Sequence, residues 1–198
     1  PGVVSMHQFY VADYARRNAL LDLRTVIDSG ELDVSLFPES TLDSGRVNGT
    51  LVMVPKGVTM PGWVYNTAVF DQLGIEYPDI NWTYDDLINI SRQVVEKSGG
   101  AMWGSADFSG GQLQPNFRYF LRQHGEDLYT EDGKLGFSRD TLVKWWSMWK
   151  EMRDEKLIPD AATVAEYDGV PLEQNLFVTD KVALFQIPAN QIYLYEQQ

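Results

Sequence analysis

Two prolines and two glycines, Pro55, Gly57, Pro61 and Gly62, fall within one short stretch between apolar runs, and they constrain this chain more than any other feature. Leu51-Val52-Met53-Val54 has the apolar, partly β-branched character of a buried strand. Prolines this close together cannot sit inside a central strand, so the run must break. Trp63-Val64-Tyr65 is extended in character again, and Asn66-Thr67 can cap a helix starting near Ala68. The pattern admits two readings: a loop within one sheet, or a crossing from one domain to another.

Composition narrows the function classes. The 198 residues can bury one large core or two small ones. Sixteen Lys and Arg against 28 Asp and Glu give a net charge of −12. That balance argues against nucleic acid, whose phosphates need clustered cations, and against a polyanionic substrate. With no cysteine, thiolate zinc sites, cysteine nucleophiles and disulfides are excluded. No apolar stretch is long enough to span a bilayer as a helix. The opening residues Pro1-Gly2-Val3-Val4 lack the form of a signal peptide and look like a turn entering a strand in mid-domain. Aromatic residues make up 13% of the chain, enough to ask whether some rings face a ligand.

Taken in order, Val3 to Met6 reads as a short strand. From Val11 a helix is expected, with Tyr14, Ala15, Ala19 and Leu20 at helical spacing, closing at Leu21-Asp22-Leu23. His7, Gln8, Phe9 and Tyr10 stand at that strand-to-helix junction, a common ligand position in α/β folds; a solvated loop with one buried ring is the alternative. Val26 to Leu42 reads as short helical turns. Asn48-Gly49 is a hairpin turn leading into the strand at Leu51. Gly74 stops a helix, and Thr83-Tyr84-Asp85-Asp86 opens another as a near-capping box; Asp85 and Asp86 there serve the helix dipole rather than catalysis.

Ala101 to Gly104 is expected as a strand, followed by a Gly/Gln-rich loop from Ser105 to Gln114 and a helix with Pro115 in its first turn. His124 ends that helix, and only His7 offers another imidazole, so no metal constellation is visible. Leu128–Thr130 and Leu135–Phe137 flank an Asp-Gly turn as a hairpin. Ser138 caps the longest helix, about Arg139 to Glu155, with Leu142, Trp145, Trp149 and Met152 forming a core stripe beside Trp146. Pro159 opens a loop, Pro171 to Val178 reads as a helix, and Val182 to Phe185 as a buried strand ended by Pro188. Another helix starts at Gln191.

Several of these segments resemble, in order, the extracellular solute-binding proteins of sugar-importing ABC transporters, the group that includes maltose-binding protein. The resemblance rests on Pro1 to Met6, Tyr14-Ala15 with Ala19 to Leu23, and Asn48-Gly49-Thr50-Leu51 with Pro55. It continues through Tyr65-Asn66 with Phe70, Gly74, Pro78 and Trp82 to Leu87, and Phe177 to Leu184. Gly2 stands where the family often has Asp. Asp180 replaces a turn glycine, which Asp tolerates in the left-handed region at modest cost.

The resemblance implies an α/β, periplasmic-binding-protein type II-like two-lobed fold, here a partial first lobe plus most of the second, a central fragment of a chain about twice as long. Residues 1–57 would belong to the first lobe, 58–62 to the hinge crossing and 63–198 to the second lobe, incomplete at its end. It further implies an extracellular or periplasmic receptor, with a lipoprotein anchor an option, that captures a sugar in an inter-lobe cleft. The receptor would deliver that sugar to the permease subunits of an ABC importer, without cofactor, metal or nucleic acid.

Sugar recognition needs aromatic faces for the C–H side of a pyranose and planar amides or carboxylates for its hydroxyls. The candidates carried over are His7, Gln8, Phe9 and Tyr10, Thr59 and Trp63, Gln112, Gln114 and Asn116, and Gln186 and Asn190. Asn190 stands where family members often carry a stacking Trp, which leaves stacking to Phe9, Tyr10 or Trp63. The amide-rich set suits a neutral sugar. Two other classes stay open: a glycosidase fragment with a carboxylate pair, and a structural or interaction domain whose rings are all core.

Overall fold

A computed structural model describes residues 2–110 and 114–198. The chain packs as two compact units that divide between Thr59 and Met60.

In the first unit, helix α1 spans Gln8–Arg16, and His7 caps it by accepting the Phe9 N–H at Nδ1 over 3.3 Å. Helices α2 (Arg24–Asp28) and α3 (Glu39–Leu42) are short turns, as the scattered apolar residues imply. Strands β1 (Arg46–Val47) and β2 (Thr50–Leu51) form the expected hairpin, with Asn48 at φ 51° and Gly49 at φ 79° supplying the left-handed turn. The strand expected over Leu51–Val54 stops at Leu51. The Gly45 carbonyl takes the N–H groups of both Val52 (3.1 Å) and Met53 (3.3 Å), diverting them from any ladder. Val3 to Met6 form no strand either: the segment finds no partner in this unit, and Val3 is 94% exposed. Helix α1 starts earlier than expected and ends at Arg16, because Asn18 adopts a left-handed φ of 54°.

The second unit carries the larger core. Its elements are β3 (Pro61–Tyr65), α4 (Thr67–Leu73), α5 (Tyr84–Lys97), β4 (Trp103–Ser105), α6 (Gln114–Gln123) and α7 (Arg139–Asp154), then α8 (Ala161–Glu166), β5 (Val182–Pro188) and α9 (Ile192–Glu196). The sheet order is β3-β5-β4, with β3 antiparallel and β4 parallel to β5. Pro61 is tolerated because it is the first residue of an edge strand.

Caps fix the helix starts. Asn66 accepts the Ala68 N–H at 3.0 Å, and Gly74 ends α4 at φ 59°. Thr83 and Asp86 complete a reciprocal capping box. Ser138 accepts the Thr141 N–H at 3.1 Å. Trp145, Trp149 and Met152 of α7 are buried against Phe70, Leu87, Val94 and β5, while Leu142 is half-buried and Trp146 faces solvent. Helix α5 lies directly on β4 at Gly104, where a Cβ would meet the Ser91 Cα at 2.2 Å.

Three expectations for this unit change. The hairpin at 128–137 contracts to a single bridge, Tyr129 with Leu135, leaving the Asp-Gly turn in place with Gly133 at φ 78°. The helix expected at Pro171–Val178 is one 3-10 turn, Leu172–Gln174, because Asn175 turns extended at ψ 145°. The loop after Pro159 holds α8, whose first turn is capped by Asp160 accepting the Thr163 N–H at 2.8 Å. Asp180 does take the left-handed conformation, φ 52°, and accepts a bond from Asn66 Nδ2 at 3.1 Å.

Candidate functional site

Because β4 runs parallel to β5 and β3 antiparallel, the carboxyl ends of β4 and β5 meet the start of β3 at one edge of the second unit. Ligands of α/β sheets gather at such an edge. Trp63 lies opposite Gln186 in the ladder, so the two side chains share a face. Asn116, in the first turn of α6, meets Gln186 there. Asn116 Nδ2 donates to Gln186 Oε1 at 2.9 Å, and Gln186 Nε2 donates back to Asn116 Oδ1 at 2.6 Å. The Tyr84 hydroxyl donates to the Asn116 carbonyl at 2.8 Å, and burial pushes that phenol's pKa up. Asn116 is fully buried and its amide is engaged by Gln186, so in this structure it offers no surface to a ligand. The same pairing occupies Gln186. In this structure these two candidates therefore pair with each other in the interior of the unit.

The loop after β4 forms the front. Phe108 stands edge-on to Trp63, centroids 5.1 Å apart, and to Phe185 at 5.3 Å, while Trp63 also meets Trp82 edge-on at 5.7 Å. Beside Phe108 a groove of about 720 Å³ is bounded by Ser109, Tyr167, Asp168, Asn175 and Phe185. A smaller hollow of about 170 Å³ lies among Trp63, Trp82, Tyr119 and Gln123. The Asp107 carboxylate at the groove wall is engaged by Arg153 at 2.7 Å, whereas Asp168 makes no ion pair among the described residues. Among the described residues no Lys or Arg lines the groove. Asn190 sits exposed in the 3-10 turn after β5, Gln114 opens α6, and Gln112 lies outside the described residues.

Within the first unit, His7, Gln8 and Thr59 line one concavity of about 780 Å³ together with Ser44 and Lys56. Phe9 and Tyr10 are 63% and 60% exposed and lie outside that lining, because the start of α1 turns them away from it. Phe9 instead packs on His7, ring centroids 4.3 Å apart.

Residues 3–197 match the profile of the bacterial extracellular solute-binding proteins. The chain belongs to that family. This extracellular solute-binding chain is 27% identical over 108 residues to the arabinooligosaccharide-binding protein of Halalkalibacterium halodurans, a match covering 54% of this chain and 23% of that relative. Among solved structures it is similar to a family 1 extracellular solute-binding protein of Alicyclobacillus acidocaldarius, with 25% identity, TM-score 0.67, and coverage of 97% of this chain and 46% of that one. It also resembles an ABC substrate-binding protein of Listeria monocytogenes solved with cycloalternan, with 21% identity, TM-score 0.78, and coverage of 94% and 47%. The chain thus spans about half the length of these solved structures and 23% of the curated relative. The type II periplasmic-binding-protein fold expected from the sequence is the fold these neighbours have, with part of it represented here.

Within this solute-binding chain no sequence pattern singles out Phe108, Tyr167, Asp168 and Asn175. Phe108 was hidden in what read as a Gly/Gln-rich loop. Its position directly after a strand's carboxyl end was the usable clue. Tyr167 and Asp168 precede Gly169 at φ 73°, an exposed turn whose aromatic–acid pair carries no periodicity to draw notice.

Proposed function

We propose that this chain is the sugar-binding part of an extracellular receptor that captures a neutral oligosaccharide and passes it to the permease subunits of an ABC importer. The observation that carries the reading is the edge where β4 and β5 end. Phe185 and Tyr167 bring aromatic surface to the groove there, beside the Asn175 amide and the Asp168 carboxylate, with the nearly buried Phe108 ring in its wall and Trp63 edge-on behind Phe108. Rings cover the C–H face of a pyranose, and amides and carboxylates bond its hydroxyls. The absence of any Lys or Arg among the described lining residues, with Asp168 in no ion pair among them, favours uncharged sugars over uronates.

The reading extends to the first unit, where His7, Gln8 and Thr59 line a concavity of their own and are proposed as further ligand contacts. Asn190, Gln112 and Gln114, together with Phe9 and Tyr10, remain proposed contacts on the strength of the family resemblance. The proposed lobe division is 1–57 and 63–198, with 58–62 as the hinge. Binding without catalysis is part of the proposal; the Asp107 carboxylate, held by Arg153 and the Ser109 N–H, serves there to fix the loop after β4. An extracytoplasmic location, with a lipid anchor on the receptor, completes the proposal.

The test is a thermal-shift series with maltotetraose, arabinotriose and digalacturonate at equal concentration. A neutral sugar raises the melting temperature and the uronate does not. A shift with digalacturonate alone, or with none of the three, sinks the reading. Chromatography of the incubated sugars should return them uncleaved.

A further inference from the structure

The loop after β4 is held by a helix far from it in sequence. Arg153, in the last turn of α7, donates from Nε to Asp107 Oδ2 at 2.8 Å, and its Nη2 lies 2.7 Å from the same oxygen. The same Nη2 donates to Ser109 Oγ. Asp107 Oδ1 accepts the Ser109 N–H at 2.8 Å, and Trp145 Nε1, two turns earlier on α7, donates to the Ser109 carbonyl at 3.1 Å. The Asp107 side chain is only 7% exposed and that of Arg153 31%, so water competes weakly for these bonds. A planar guanidinium that grips two residues of one loop fixes its geometry in a way a single-point lysine contact cannot. The residue between the two gripped positions is Phe108, 6% exposed and edge-on to both Trp63 and Phe185.

We propose that Arg153 is a positioning residue for the sugar site: through Asp107 and Ser109 it sets Phe108 and the groove wall, without itself contacting the ligand. The proposal rests on the reading that this groove takes a neutral sugar, and its test separates the two. Hydrogen exchange at the Phe108 and Ser109 amides is followed in the sugar-free chain, and maltotetraose affinity is measured by calorimetry well below the melting temperature.

Arg153→Gln speeds exchange in the loop at least tenfold and weakens maltotetraose about tenfold. Arg153→Lys, which keeps a charge beside Asp107 and avoids leaving that carboxylate buried alone, gives an intermediate effect on both. In a Phe108→Ala background Arg153→Gln weakens affinity no further, since the residue acts through that ring. Unchanged loop exchange in Arg153→Gln overturns the proposal, as does an equal affinity loss with and without Phe108. A wild-type chain that binds no sugar while Arg153→Gln still loosens the loop overturns the sugar reading and the positioning role with it, leaving only the anchor.

Discussion

Asn116 and Gln186, seventy positions apart, exchange two side-chain hydrogen bonds in the interior of the second unit. Each amide satisfies the other, so removing one strands its partner. Asn116→Leu and Gln186→Leu, each made alone, are expected to cost about 1–3 kcal/mol, the penalty for a buried amide without a partner. The double variant Asn116→Leu with Gln186→Leu should cost less than the sum of the singles, because no polar group is then left unmatched. Urea titration of the three variants reads this, and additive losses would contradict it.

Gly104 is required by contact, not by backbone conformation. A Cβ there would lie 2.2 Å from the Ser91 Cα, so Gly104→Ala must push α5 off β4. Overpacking of this kind typically costs about 1–3 kcal/mol. Denaturant midpoints of Gly104→Ala and Gly110→Ala make the comparison, since Gly110 has open space around it and should change little.

Trp63 links the hollow beside Trp82 to the ring of Phe108. If it presents a stacking face to the sugar, Trp63→Ala weakens a neutral oligosaccharide at least tenfold, about 1.4 kcal/mol. Trp63→Phe should retain part of the affinity. Calorimetry with maltotetraose distinguishes the outcomes, and an unchanged affinity in Trp63→Ala removes this residue from the site.

Asp127 joins α6 to the segment after it. Its pKa is held well below the usual carboxylate range, first by the Arg118 side chain and then by the Leu128 N–H. A pKa depressed on folding contributes stability that is fully present above the unfolded value of about 3.9 and is lost as pH falls through the folded value. Asp127→Asn should therefore melt below the wild type at neutral pH, and the two curves should converge as pH drops from about 4. Melting temperatures across an acid series check the sign; a gap that widens on acidification would be wrong for this mechanism.

How much of this could be read beforehand depended on the range of the interaction. Ser138, Thr83 with Asp86, and Asn48-Gly49 act on backbone within a few positions, and each did locally what its type implies. Tertiary pairing was less legible. Val3-Val4 has strand composition but finds no partner strand in its unit, and Val52-Met53 loses its ladder to the Gly45 carbonyl. Helix α8 was masked by Pro159, although Asp160 at its cap was visible.

At the site, residue type pointed to amides and rings but could not say which amides would turn inward. Asn116 and Gln186 were recognisable as polar residues near strand ends, yet their mutual pairing depends on a fold that joins distant segments. Arg153 and Asp107 stand in the same position: both are ordinary charged residues in sequence, and only packing of α7 on the β4 loop brings them within 2.8 Å. His7, Gln8 and Thr59, by contrast, do line one concavity.

The strand order β3-β5-β4 also governs how the second unit is made. The middle strand is the last of the three to be synthesised, and Tyr65 must wait for Leu184 before its ladder can close. Until then β3 and β4 emerge from the ribosome without the strand that joins them, while α5 and α7 can already coil locally. Non-local closure of this kind slows folding and lengthens the time during which apolar strands can find wrong partners. A chaperone that shields residues 61–65 during translation would act on the interval in which this sheet is most open to error.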